Sequence, residues 1–329
     1  IEMINYEADD LIATYAKKIV NAGAKVTVIS SDKDLMQLVE DPDTTMMNTM
    51  KHIIFNEEKV FEKFGVKPNQ VRDMLALIGD SSDKNYNYIP KGYKIPNDVD
   101  YFHCTSNNTI YGTQMKKFPH CPTLMVCDMS SDIFSRKVEV NNFDIIYAGA
   151  QKNMGPAGTT LVIVKDEILG KTGRNIPTML DYNTHISKDS MFNTPPVFPI
   201  YVSMLTLEWL KELGGVEAIE KINQAKADLL YREIDRNPLF EGTAAKEDRS
   251  NMNVCFLLTD NSKEELFDDL CKKAGISGIK GHRSVGGYRA SIYNAMPIDS
   301  IKVLIDAVSY THLRAHETLR YLVCRLLLE

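Results

Sequence analysis

Between residues 7 and 21 apolar side chains return every three or four positions, at Leu11, Ile12, Tyr15, Ala16, Ile19 and Val20. This spacing predicts a helix over Glu7–Asn21, with its acids in the first turn where the helix dipole favours them. Lys25–Ile29 alternates like a strand, Thr44–Phe55 is a second strand-like run, and a helix ends near Gly65. Pro68 opens a further helix that Gly79-Asp80 closes. A Pro- and Asn-rich stretch begins at Tyr86, and beyond it the apolar runs Thr123–Cys127, Phe143–Tyr147 and Thr159–Val164 predict strands. Helical periodicity covers Pro199–Glu212 and Val216–Ile234. The last part, with strands at Met252–Leu258 and Arg289–Tyr293 and helices at Glu264–Ala274 and Ile298–Ala307, predicts a smaller α/β domain.

Composition changes this picture little. At 44% hydrophobic and 25% charged residues the chain has the make-up of a globular protein, and no apolar run approaches the ~20 residues that span a bilayer. No charged n-region or apolar h-region marks a signal peptide. The six cysteines are scattered without C-x-x-C spacing, which suits reduced thiols and a cytoplasmic location. Charge is more informative. Residues 1–83 hold 15 Asp and Glu against 9 Lys and Arg, so the whole net charge of −6 sits in the first quarter. Such a segment avoids phosphates or meets them through divalent cations.

Three acidic clusters punctuate that first quarter: Glu7 with Asp9 and Asp10, Asp32 with Asp34, and Asp80 with Asp83. Carboxylates gathered at strand ends repel unless hard cations sit between them, and Mg²⁺ or Mn²⁺ with oxygen ligands answers that need. Two such ions can activate a water at a phosphodiester. With Asp80-Ser81-Ser82-Asp83 following Ala76-Leu77-Ile78-Gly79, residues 1–83 resemble the 5′-nuclease domain of bacterial DNA polymerase I. The resemblance implies that Glu7, Asp9, Asp10, Asp32, Asp34, Asp80 and Asp83 are metal-site positions and that DNA is the partner of this fragment. The family's opening strand and its helix-hairpin-helix after Asp83 have no counterpart here.

Different chemistry stands at Ala148-Gly149-Ala150-Gln151-Lys152-Asn153-Met154, followed by Gly155-Pro156-Ala157-Gly158. A lysine on a Gly-rich turn after an apolar strand is placed to meet a carbonyl through its amine, as in the anchoring of pyridoxal 5′-phosphate (PLP). Asp128 ends the strand Thr123–Cys127; it suits a pyridine nitrogen or, equally, an N-cap for Ser130-Ser131. His282-Arg283-Ser284-Val285-Gly286-Gly287-Tyr288-Arg289 sets two arginines around a Gly-Gly bend, a spacing that fits a solvated loop or a fork for a dianion. From about Tyr86 to Val308 these motifs resemble the phosphoserine aminotransferase family, within the class V PLP-dependent aminotransferases.

That resemblance implies amino transfer between glutamate and 3-phosphohydroxypyruvate, with phosphoserine and 2-oxoglutarate as products, in serine biosynthesis and through phosphohydroxythreonine in vitamin B6 biosynthesis. It makes Lys152 the catalytic lysine and Thr109, Asp128, Gln151, Asn193 and Thr194 cofactor-binding, the last two from the neighbouring subunit of a homodimer. His282, Arg283 and Arg289 then bind substrate. The family's first hundred or more residues, which carry the ring-stacking aromatic, are not found here.

The fold expected is α/β: a 5′-nuclease-like fragment over 1–85, a partial PLP-binding large domain of fold type I over 86–212, and a small C-terminal domain over 213–308. No linker separates the first two; the join at Ser81–Asn85 cuts both patterns inside their folds, which marks a chimeric, inactive chain. Residues 309–329 resemble a translated sequencing adapter and are expected to pack poorly.

Overall fold

In a computed structural model the chain divides into two compact units, residues 1–85 with 90–99 and residues 86–89 with 100–329. The structure describes residues 8–30, 34–48, 52–64, 67–71, 86–283 and 285–311.

The first unit opens with helix α1 (Ala8–Asn21). Strand β1 (Val26–Ile29) pairs in parallel with β2 (Thr44–Asn48), which pairs antiparallel with β3 (Ile53–Phe55). The expected run over 44–55 is therefore two strands that fold back on each other. A short 3-10 turn, Asp34–Leu38, turns Leu35 and Met36 inward, and these pack with Val28, Val39, Met46, Phe55, Val60 and Val71. Helix α2 (Glu57–Phe64) supplies Val60. Asp9 and Asp10 fall in the first turn of α1, and Asp34 begins the 3-10 turn. Glu7, Asp32, Asp80 and Asp83 lie outside the described residues, as does the join at 81–85. Among the described residues no cluster of His, Cys, Asp and Glu forms a metal site.

The second unit contains a four-stranded sheet in the order β4 (Tyr101–Thr105), β7 (Leu124–Asp128), β8 (Ile145–Gly149), β9 (Thr160–Val164). The first three are parallel and β9 is antiparallel to β8. Alternation buries Phe102 and Cys104 of β4, Met125 and Cys127 of β7, and Ile146 and Ala148 of β8, which gives the sheet a well-packed side. β4 was not expected as a strand: Pro and Asn crowd its approach, and only two of its five residues are buried. Two-residue strands β5 (Asn107–Asn108) and β6 (Thr113–Gln114) pair beside it. Residues 86–89 join this unit through the Ala245 N–H to Asn87 carbonyl bond (2.6 Å), the Ile89 N–H to Asp248 carboxylate bond (2.9 Å) and Tyr86 against Tyr111.

A three-stranded antiparallel sheet follows: β10 (Phe240–Gly242), β11 (Asn253–Leu258) and β12 (Tyr288–Ser291). Its core is aromatic, with Phe240, Phe256, Phe267 and Tyr288 in edge-on and stacked contact. Short helix α3 (Tyr182–Ile186) and helix α4 (Val197–Glu212) precede it. Helix α5 (Gly215–Arg236) lays Ile219, Ala227, Leu230 and Ile234 into the interior, and α6 (Glu264–Lys273) adds Phe267 and Cys271. α4 is different: it buries only Ser203 and Leu210 and leaves Val197, Phe198, Tyr201, Met204 and Leu205 exposed. The closing helix spans 298–311. It runs past the expected end: Thr311 is buried with its hydroxyl on the Ala307 carbonyl (2.8 Å), and Ser309 Oγ accepts from Arg236. The expectation of poor packing thus fails over 309–311, and 312–329 lie outside the described residues.

Candidate functional site

β8 ends at Gly149, and the chain turns at once. The Ala150 N–H donates to the Thr159 carbonyl (2.9 Å), while the Ala150 carbonyl accepts from both Met154 (3.0 Å) and Gly155 (2.9 Å). Ala150 and Met154 are buried under this turn, and Lys152 rides on its crown, half-buried. Gly155 is required here, because a Cβ would stand 2.7 Å from Ser203 Oγ on α4. Asn153 anchors the turn: its amide donates to the Ile133 carbonyl (3.1 Å) and its Oδ1 accepts from the Asn294 N–H (3.0 Å). Asn294 in turn donates to the Phe134 carbonyl and accepts from Asn223 (2.8 Å).

The Lys152 amine donates to Tyr293 Oη at 3.1 Å and lies 5.3 Å from the centre of that ring. Tyr293 Oη also accepts from Asn253 Nδ2 (3.1 Å); Asn253 Oδ1 accepts from Asn107 Nδ2 (2.9 Å), and Asn107 Oδ1 from Ser250 Oγ (2.5 Å). Asn253, Asn107 and Ser250 are buried and mutually satisfied, the condition under which polar groups rigidify an interior.

Asp128, at the end of β7, stands opposite Tyr147 of β8 and Thr105 of β4. Its Oδ1 accepts from the Ser130 N–H (2.8 Å), so the turn-capping use is realised, and Ser130 Oγ in turn accepts from the Gly149 N–H (3.2 Å). Tyr147 is thus the cross-strand neighbour of Asp128. Desolvation first, and then the Asp128 charge, pushes that phenol up to about 12. His103 Nε2 lies 3.0 Å from Tyr147 Oη. Desolvation lowers the His103 pKa and outweighs the opposing pull of Asp128.

Arg289, on β12, donates from Nη1 to the Thr109 carbonyl (2.9 Å), which brings an expected substrate residue against an expected cofactor residue. Gln151 folds its amide over Gly149. His282 is half-buried beside exposed Arg283 on the bend before β12. Gly286 and Gly287 adopt φ of +76° and +58° there, a region that excludes most side chains. Asn193 and Thr194 sit on an exposed turn before α4 and bond to each other (3.3 Å), and among the described residues no contact joins them to Lys152.

The structure therefore sets Asp128 and Lys152 at the ends of neighbouring strands, folds Gln151 over Gly149 in the same turn, and bonds Arg289 to Thr109. It adds residues that sequence reasoning missed: Tyr293, Asn253, Asn107, His103 and Tyr147. It also adds Lys226, buried on α5, whose ammonium donates to the carbonyls of Ile292 (3.0 Å), Tyr293 (2.8 Å) and Met296 (3.1 Å) and so clamps the segment bearing Tyr293. Burial pulls its pKa down to about 8. The donor set suits PLP: an amine for an aldehyde and a carboxylate for a ring nitrogen follow neighbouring parallel strands.

Residues 83–304 match the family model described as Aminotransferase class-V, and residues 1–65 that described as 5′-3′ exonuclease, N-terminal resolvase-like domain. Phosphoserine aminotransferase of Flavobacterium psychrophilum is 68% identical over 233 residues, which are 71% of this chain and 65% of its own length. That of Flavobacterium johnsoniae is 68% identical over 243 residues, 74% of this chain and 68% of its own. The solved phosphoserine aminotransferase from Bacillus circulans subsp. alkalophilus superposes with a TM-score of 0.69 at 39% identity, over 75% of this chain and 72% of that one. The chain thus spans about two thirds of the length of these relatives. Over residues 83–304 it belongs to the class-V aminotransferase family.

Proposed function

We propose that residues 86–308 are the lysine-bearing part of a phosphoserine aminotransferase, in which glutamate and 3-phosphohydroxypyruvate exchange an amino group to give 2-oxoglutarate and phosphoserine. The observation that carries this is the placement of Lys152 and Asp128 after adjacent parallel strands, each held by its own turn. PLP, when bound, supplies an electron sink for the carbon that loses its proton. Lys152 Nζ would carry that proton between the substrate's Cα and the cofactor's C4′. The Asp128 carboxylate, fixed by the Ser130 N–H, would keep a proton on the cofactor's ring nitrogen. Gln151 and Thr109 hold the cofactor's phosphate and ring oxygen, while Arg289, Arg283 and His282 hold the substrate's phosphate through charge-assisted bonds.

Asn193 and Thr194, exposed and unconnected to Lys152 in their own subunit, suit a homodimer in which each reaches the neighbour's cofactor. A large-domain portion over 86–212, a small domain over 213–308, a cytoplasmic location and a part in serine and vitamin B6 synthesis complete this reading. Among the described residues no helix is long and apolar enough to cross a membrane. A second reading belongs to residues 1–65 alone, where the exonuclease match favours Mg²⁺- or Mn²⁺-dependent DNA cleavage. A flap-cleavage assay with and without Mg²⁺ tests it.

Borohydride reduction with PLP followed by peptide mapping tests the main reading. Lys152 is expected to carry the label well above exposed Lys188 and Lys211; equal labelling of all three overturns the assignment.

A further inference from the structure

We propose that Tyr293 is a positioning residue for the Lys152 amine, which it holds in one direction until a carbonyl arrives; this rests on the aminotransferase reading above. A lysine side chain has four rotatable bonds, and an amine that must attack a fixed carbonyl gains from being aimed beforehand. Among the described residues Tyr293 Oη is the one hydrogen-bond acceptor of Lys152 Nζ, at 3.1 Å, and the ring beneath adds a cation–π contact at 5.3 Å.

The tyrosine is itself immobilised from three sides. Asn253 Nδ2 donates to the same hydroxyl, the buried Lys226 ammonium binds the carbonyls of Ile292, Tyr293 and Met296, and the next residue, Asn294, is bonded to Asn153, Phe134 and Asn223. Asn153 follows Lys152 directly, so the two ends of the Lys152–Tyr293 contact are tied together by a second bond one residue along, from the Asn294 N–H to the Asn153 side-chain Oδ1. Two independent ties at consecutive residues fix both the distance and the direction between the β8 turn and the segment after β12. With Tyr293 Oη accepting from both Asn253 and Lys152, the hydroxyl's own proton faces away from the amine, which leaves the phenol an acceptor toward Lys152.

Limited reductive methylation with formaldehyde and cyanoborohydride reads this without the cofactor. The ratio of methylation at Lys152 to that at exposed Lys188 is measured by peptide mapping in the native chain and in Tyr293→Phe, which keeps the ring and removes the hydroxyl. Loss of one hydrogen bond of ordinary net strength corresponds to about a fivefold rise in that ratio. A tyrosine that only packs leaves the ratio unchanged, and that result overturns the proposal. Should the variant not fold, the native chain decides: Lys152 methylated several-fold more slowly than Lys188 supports the hold, and equal rates refute it. Failure of PLP to label Lys152 removes the aminotransferase reading but leaves the methylation ratio as the measure of Tyr293.

Discussion

Replacing Lys226 by methionine keeps the length of the side chain and removes its ammonium. Three carbonyls lose their donor, and at ~2 kcal/mol for each buried acceptor the gross loss is about 6 kcal/mol. Against this, the native chain carries the cost of burying the charge: with burial pulling the pKa from 10.5 to about 8, and each pH unit worth about 1.4 kcal/mol, that cost is roughly 3 kcal/mol. Lys226→Met is therefore expected to destabilise the second unit by ~3 kcal/mol near neutral pH. The pH dependence has a definite sign. The folded value lies below the unfolded one, so between about 8 and 10.5 the unfolded chain binds more protons, and native stability rises with pH across that window. The gap between native and variant should widen by ~2 kcal/mol from about pH 7.5 to about pH 9.5. Urea unfolding followed through Trp209, the single tryptophan, measures both quantities. A loss under ~1 kcal/mol at neutral pH would show that the Lys226 clamp does not exist, and a gap that narrows as pH rises would show that burial does not hold the folded pKa below the unfolded one.

Arg249 binds Asp235 with both arms of its fork (2.9 and 2.7 Å) and lies 4.5 Å over Tyr231, so Arg249→Gln should cost ~1 to 2 kcal/mol in urea unfolding at neutral pH. Arg249 holds the Asp235 carboxyl below its usual value, so this stability is present above the unfolded value and lost as pH falls through the folded one; the penalty should fade as pH falls below the usual carboxylate range, and a constant penalty refutes the pairing. Gly287→Ala should lower the melting temperature by many degrees, since φ is +58° and a Cβ would stand 2.6 Å from the Phe256 carbonyl oxygen; an unchanged melting temperature means that the bend has another shape. In a coupled assay with phosphoserine, 2-oxoglutarate and PLP, the 329-residue chain should show no rate above its Lys152→Ala control, because it spans only 65% of the length of its F. psychrophilum relative and catalysis tolerates little misplacement. Turnover abolished by that substitution would refute this.

The Lys152 turn was legible because its chemistry is local: an apolar strand, small residues and one amine fall within a dozen positions. Asp128 was legible for the same reason, at the end of a strand with a clear apolar run. Tyr293 was not, since its link to Lys152 crosses 141 residues and its flanking sequence reads as the end of a strand. Lys226 was hidden by periodicity: on α5 it occupies a position that helical spacing permits on either face, and only the tertiary fold shows it buried. β4 escaped because three of its five side chains face outward. In the first unit the split of 44–55 into β2 and β3 reflects a reversal that hydrophobic pattern alone does not encode.

Helix α4 has a consequence for the life of this polypeptide in a cell. With Val197 and Phe198 each about 70% exposed and Tyr201, Met204 and Leu205 beside them, the folded unit presents to water the kind of surface that other chains expose only while unfolding. A contiguous apolar patch of this kind is an association liability in the native state itself. An uncovered α4 therefore makes the folded unit prone to self-association even while its β10–β12 core stays intact.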